Sequence, residues 1–114
     1  MLHLKLKEAV EQHFAADLAA PPTLLQDALQ LQLCNGVIVE LRFASAEEYS
    51  LAWLWGDAEL RIDTAPLHRD LATFPNHLHD ADGQLRADPL TQPGREPWDN
   101  VRAVVAAILA APLL

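Results

Sequence analysis

The chain reads as an α+β protein: a four-stranded antiparallel meander sheet, in α-β-β-β-β-α order, packed by an N-terminal and a C-terminal helix. Three observations predict this. Between residues 29 and 62, apolar residues recur at every second position, with turn signals at Asn35-Gly36 and Gly56-Asp57. Residues 4–19 and the stretch from Trp98 to Ala111 space their apolar residues at threes and fours instead. The length of 114 residues gives room for one core, hence a single domain over 1–114.

The first helix carries Leu6, Ala9, Val10, Phe14 and Leu18 on one side and Lys7, Glu8, Glu11 and Gln12 on the other. Pro21 and Pro22 stop it, since proline removes a backbone donor and restricts the residue before it. His3 and His13 read as ordinary surface or face-edge histidines. One short helical turn is expected at Thr23–Asp27.

The register of the first hairpin is set by its faces. A two-residue Asn35-Gly36 loop would set Gln32 opposite Val39 and mix apolar with polar. A three-residue loop, Cys34-Asn35-Gly36 with Gly36 in the left-handed region, pairs Leu33 with Val37 and Leu31 with Val39. That keeps one face apolar throughout. In the second hairpin the tight Gly56-Asp57 loop pairs Trp53 with Leu60 and Leu51 with Ile62. The opposite face then holds Ser50, Ala52, Arg61 and Asp63. Trp53 and Trp55 read as packing residues, because no basic residues interleave with them as nucleic-acid stacking requires.

Past Ile62 the alternation stops at Thr64-Ala65-Pro66. His68–Thr73 is expected to make one helical turn, Phe74-Pro75 to break it, and His77-Leu78-His79 to be extended. A turn comes next in Asp80–Gly83, and residues 84–97, with three prolines, read as loop. The last helix begins near Trp98 or Asp99, with Pro97 suited to a first helical position, and ends at about Ala111. Its stripe is Val101, Val104, Val105, Ile108 and Leu109. Ala106, Ala107, Ala110 and Ala111 leave its far side weakly polar, which suggests a second buried side or a homodimer contact. An open sheet edge offers another route to a dimer.

Composition narrows the function. With 51% apolar and 21% charged residues the chain should fold. Its net charge of -8 argues against broad electrostatic capture of nucleic acid and suits a basic partner protein. The single cysteine, Cys34, allows neither an internal disulfide nor a cysteine-rich zinc cluster. The start lacks the pattern of a secretory signal, and the apolar end falls short of the roughly 20 residues a membrane span needs. A cytoplasmic protein with no membrane partner is expected.

Three sequence runs, Y-S-L-A-W-L-W-G-D from Tyr49, R-I-D-T-A-P-L-H from Arg61 and F-P-N-H-L-H from Phe74, resemble the TumE-type toxin family of bacterial toxin–antitoxin systems. The family pattern is approximately Y-S-[FY]-x-W, then R-[WY]-D-N-A-P-H-H, then F-P-H-H-K-H, then a helix. Arg61, Asp63, Ala65, Pro66, His68, Pro75, His77 and His79 match it. Thr64, Leu67, Asn76 and Leu78 depart from it, so the run is two histidines and a base short. The resemblance covers roughly residues 43–109 and is weak over the first helix. It implies the toxin of a type II pair, neutralised by a helix-turn-helix antitoxin; action on RNA or translation is the expectation drawn from the Arg/His cluster, with reduced activity if the missing groups bind RNA or carry proton transfer.

Arg61–His79 is therefore the candidate site. As a metal-independent ribonuclease it would place Arg61 on phosphate, Asp63 behind Arg61, and His77 or His79 with His68 as the acid–base pair; no cofactor is needed. As a metal site it would use His77 and His79 with His68 and either Asp70 or Asp80. As structure, Arg61–Asp63 would be a strand-face ion pair and the histidines would bond loop carbonyls. The alternative to a toxin is a non-enzymatic module that docks a basic protein.

Overall fold

Period-two pairing runs further along this chain than the four alternating segments. In the computed structural model, which describes residues 1–114, seven strands form one antiparallel sheet in chain order. They are β1 (Thr23–Leu25), β2 (Ala28–Gln32), β3 (Ile38–Phe43), β4 (Tyr49–Trp55), β5 (Ala58–Asp63), β6 (His77–His79) and β7 (Leu85–Ala87). The helices are α1 (Leu2–His13) and α2 (Pro97–Ala110), and a 3₁₀ turn covers Ala15–Asp17. The α+β class with two helices stands; the four-stranded sheet is corrected to seven strands.

Each added strand is only three residues long, too short to show a period. The expected helical turn at 23–27 is instead β1, folded back on β2 with Leu25 opposite Ala28. Asp27 makes that tight return by adopting a φ of 57°, which Asp tolerates better than most residues. β6 pairs with β5, and β7 with β6, across the Asp80–Gly83 turn. Asp80 Oδ1 fixes this turn by accepting from the Asp82 and Gln84 backbone N–H groups. The segment 84–97 thus contains a strand before its loop.

The two reasoned registers hold. Leu31 faces Val39, the Leu33 N–H donates to the Val37 carbonyl, and Gly36 has a φ of 92°. Trp53 faces Leu60 and Leu51 faces Ile62. The first helix ends at His13, earlier than the prolines require, because β2 captures residues 17–19. The Ala19 N–H donates to the Gln32 carbonyl, and the Cys34 N–H to the Asp17 carbonyl. Residues 68–73 form irregular turns and not the expected helical turn, with the Leu71 N–H bonded to the His68 carbonyl.

Both helices cover the same sheet face. Leu6 and Val10 of α1, Phe14 just after it, and Val101, Val104, Val105 and Ile108 of α2 join the inward residues of β2 to β6 in one buried cluster. Trp53 belongs to it and donates its indole N–H to the Pro112 carbonyl at 2.9 Å, tying down the chain's end. Trp55 differs from expectation: at the hairpin tip it is 41% exposed, with its indole bonded to the Asn35 carbonyl. Ala106 and Ala110 of α2 are exposed, so the helix buries one side within the chain. No helix is long and apolar enough to cross a membrane.

His3 is also more than a surface residue. Its Nε2 accepts the Phe43 backbone N–H at 3.1 Å, linking α1 to the sheet. Burial holds its pKa below the ordinary value of 6.5, against the opposing pull of Asp27, with Arg42 and the N-terminal amine adding to the fall. The unfolded chain therefore takes up this proton first, and stability present above the unfolded pKa is lost as pH falls through the folded one. The urea midpoint should drop between about pH 7.5 and about pH 5.5, and drop less in His3→Gln. Equal acid sensitivity in the variant would remove His3 from this account.

Candidate functional site

The sheet face away from the helices is open, and alternation decides what stands on it. With Leu60 and Ile62 turned into the core, Arg61 and Asp63 project the other way. β6 then lies beside β5 with His79 opposite Arg61 and His77 opposite Asp63. Leu78 points into the core between the two histidines. Four polar side chains thus form a two-by-two block on adjacent strands, where facing side chains interact directly.

The block is closely joined. Arg61 Nε donates to Asp63 Oδ2 at 2.9 Å, and Arg61 Nη2 lies 3.3 Å from His79 Nε2. Asp63 Oδ1 is 3.0 Å from His77 Nε2, and Oδ2 is 3.5 Å from His79 Nε2. The two histidine Nε2 atoms are 3.1 Å apart. Asp63 Oδ1 also accepts the Ala65 backbone N–H at 3.0 Å, which starts the loop leaving β5. His77 Nδ1 faces the Pro75 carbonyl at 3.2 Å; a carbonyl only accepts, so the Nδ1 proton is assigned there.

The loop from Thr64 to Asn76 returns over the block. His68, carried on it, sets its ring edge-on to His77 at 4.8 Å and to His79 at 6.5 Å between centroids. His77 is 2% exposed, whereas the Arg61 side chain is 52% exposed and that of His79 35%. Burial, then the Arg61 guanidinium, holds His79 below the ordinary histidine pKa, despite the opposing charge of Asp63. Beside His79 a groove of about 450 Å³ runs over Ala52, Ile38 and Leu54, rimmed by Glu40 and Glu59.

All five sequence-predicted site residues come together here: Arg61, Asp63, His77 and His79 in contact, and His68 above them. Asp63, His77 and His79 offer ligand atoms within 4.8 Å of one another. Asp70 and Asp80, the carboxylates expected from the sequence as metal ligands, are not in this group. Asp80 instead holds its turn and approaches Arg86 at 3.7 Å.

Sequence reasoning missed what anchors the loop. Asn76 Nδ2 donates to Asp88 Oδ2 at 2.7 Å and to the Thr91 carbonyl at 2.9 Å. Asp88 Oδ1 accepts the Leu90 and Thr91 backbone N–H groups, and Oδ2 accepts the Thr91 hydroxyl. The Tyr49 hydroxyl reaches Thr91 Oγ1 at 2.7 Å, and burial, reinforced by Asp88, pushes the Tyr49 pKa up to about 12. Asn76, Asp88 and Thr91 are all buried. The D-P-L-T run at Asp88 was the available signal: Asp followed at the second and third positions by free N–H groups is an Asx-type turn.

The four departures from the family pattern lie off the block. Thr64 Oγ1 accepts the Tyr49 N–H at 3.0 Å, Leu67 is an exposed loop residue, Asn76 holds the anchor, and Leu78 is core. The model of the family described as toxin TumE matches residues 3–111. A search of curated proteins and one of solved structures found no match.

Proposed function

Because the chain belongs to the toxin TumE family, we propose that it is the toxin of a type II pair that cleaves RNA at the Arg61–Asp63–His77–His79 block. A toxin of such a system has an antitoxin partner, which we take to be a helix-turn-helix protein. The observation that carries the RNA reading is the block itself, four polar side chains on the open sheet face with His68 above them and Arg61 half free to solvent.

Each residue has a place in the chemistry. Arg61 uses Nε and Nη2 within the block and keeps Nη1 for a phosphate oxygen. Asp63 holds Arg61 from one oxygen and faces His77 from the other. The Asp63–His77–His79 end takes up the proton of the attacking 2′-hydroxyl, and His68, on the loop above the block, protonates the departing 5′-oxygen. The P–O2′ bond forms as the P–O5′ bond breaks, leaving a 2′,3′-cyclic phosphate and a 5′-hydroxyl.

The purified chain mixed with a single-stranded RNA should yield fragments with 5′-hydroxyl ends, and adding the antitoxin should stop it. Intact RNA at protein levels that arrest growth would move the target away from RNA. A second reading is favoured by Glu40 and Glu59 at the groove and by the net charge of -8: this face docks a basic protein, and the block is structural. Tight antitoxin binding with no growth arrest by the free chain is its expected signature.

A further inference from the structure

We propose that Asp63, His77 and His79 together bind one divalent transition-metal ion. This deepens the toxin reading, and it rests on that reading for the ion's use but not for its binding; with the ion held, the lone pairs of Asp63, His77 and His79 are taken, and a hydroxide on the ion would accept the 2′-hydroxyl proton in their place.

Proton placement leaves the group short of a donor. His77 gives its Nδ1 proton to the Pro75 carbonyl, so a neutral His77 ring has a lone pair at Nε2. That lone pair faces Asp63 Oδ1 at 3.0 Å and His79 Nε2 at 3.1 Å, both acceptors. The donors that reach the group go elsewhere: Arg61 Nε to Asp63 Oδ2, Arg61 Nη2 to His79 Nε2, and the Ala65 N–H to Asp63 Oδ1. His77 is 2% exposed, and none of these donors is directed at its Nε2. A metal ion at these lone pairs, in place of a second proton on His77, supplies what the side chains lack.

The spacing fits such an ion. Metal bonds of about 2.1 Å to imidazole nitrogen and carboxylate oxygen set neighbouring ligand atoms about 3.0–3.4 Å apart, for octahedral through tetrahedral geometry. His77 Nε2 lies 3.0 Å from Asp63 Oδ1 and 3.1 Å from His79 Nε2, and His79 Nε2 lies 3.5 Å from the other carboxylate oxygen, Asp63 Oδ2, so the carboxylate meets the ion with both oxygens or turns to offer one. The Pro75 carbonyl on His77 Nδ1 is the outer-shell contact that metal-bound histidines characteristically make. Two imidazoles and one carboxylate favour zinc, iron(II), cobalt, nickel or manganese over calcium or magnesium, which prefer all-oxygen shells. Three protein ligands leave positions open for water or a phosphate oxygen.

Arg61 now has two roles. Its guanidinium lies against the same atoms, and its half-exposed side chain is free to turn toward the groove when an ion enters. Ion and guanidinium would then face one phosphate together, placing positive charge where a chain of net charge -8 otherwise offers little.

The test uses untagged, full-length protein freed of metal with a chelator. Titration with zinc, and with cobalt(II) followed by its visible absorption, should show one ion per chain and a raised thermal midpoint. His79→Gln keeps the side chain polar at a part-exposed position and should weaken binding by about tenfold or more with an unchanged circular dichroism spectrum. Arg61→Ala should bind at least as well as the wild type. No saturable binding, or equal binding by wild type and His79→Gln, overturns the proposal. Growth arrest by a chain that binds no ion defeats the metal site alone; ion binding without arrest or RNA cleavage defeats the toxin reading alone.

Discussion

Asp63→Ala is expected to reduce RNA cleavage by about a hundredfold or more, the scale on which positioned acid–base groups and charge stabilisers act. Asp63 touches Arg61 at 2.9 Å, His77 at 3.0 Å and His79 at 3.5 Å, the three other members of the two-by-two block. Its loss frees the guanidinium, removes the partner facing His77 Nε2 and empties one corner of the ion site. The same change deprives the Ala65 N–H of its acceptor, which costs about 1–3 kcal/mol if no water replaces it. Asp63→Asn separates the two effects. Its amide oxygen still accepts from Ala65 or Arg61, so the unfolding free energy should stay close to wild type. The missing charge should keep activity as low as in the alanine variant. A fully active Asp63→Asn would show that the carboxylate is structural.

Asp88→Ala should be the most damaging change to stability outside the apolar core. Four donors converge on this buried carboxylate: the Leu90 and Thr91 N–H groups, the Thr91 hydroxyl and Asn76 Nδ2. Leaving buried donors unpaired costs about 1–3 kcal/mol each before relaxation, so a net loss of about 3–5 kcal/mol is expected. That is a large part of the stability of a typical small protein. Activity should fall with it even where the chain stays folded, because Asn76 precedes His77 and fixes where β6 begins. Urea unfolding measures the first effect. A loss below about 1 kcal/mol would mean that water replaces the carboxylate and the network anchors little.

The two hairpins show how much of the fold was legible in the residues. Both registers came from keeping one face apolar, and they place Arg61 and Asp63 on the open side without further help. The spacing of His77 and His79 likewise put them on one side of an extended segment. Their partners were hidden. Between Asp63 and His77 the chain makes turns, and a three-residue strand carries no period from which its neighbour could be read. β1 and β7 escaped for the same reason, and β1 also depends on Asp27 taking a left-handed conformation. His68 joins the block through loop geometry alone. The Asn76–Asp88–Thr91 anchor joins residues that look like separate punctuation in a proline-rich stretch, and only folding brings them together.

The site also changes how the departures from the family pattern are read. Counted along the chain, they leave the polar run short of two histidines and a base. Placed in the fold, they fall on a loop, a strand end, the anchor and the core, while all five candidate site residues remain. A working toxin is therefore expected.

Growth after induction of the chain without its antitoxin, beside Asp63→Asn at matched soluble levels, tests this most directly. The account predicts that the wild type arrests growth and that Asp63→Asn grows like the uninduced culture. Arrest by both alike, or by neither, would contradict it.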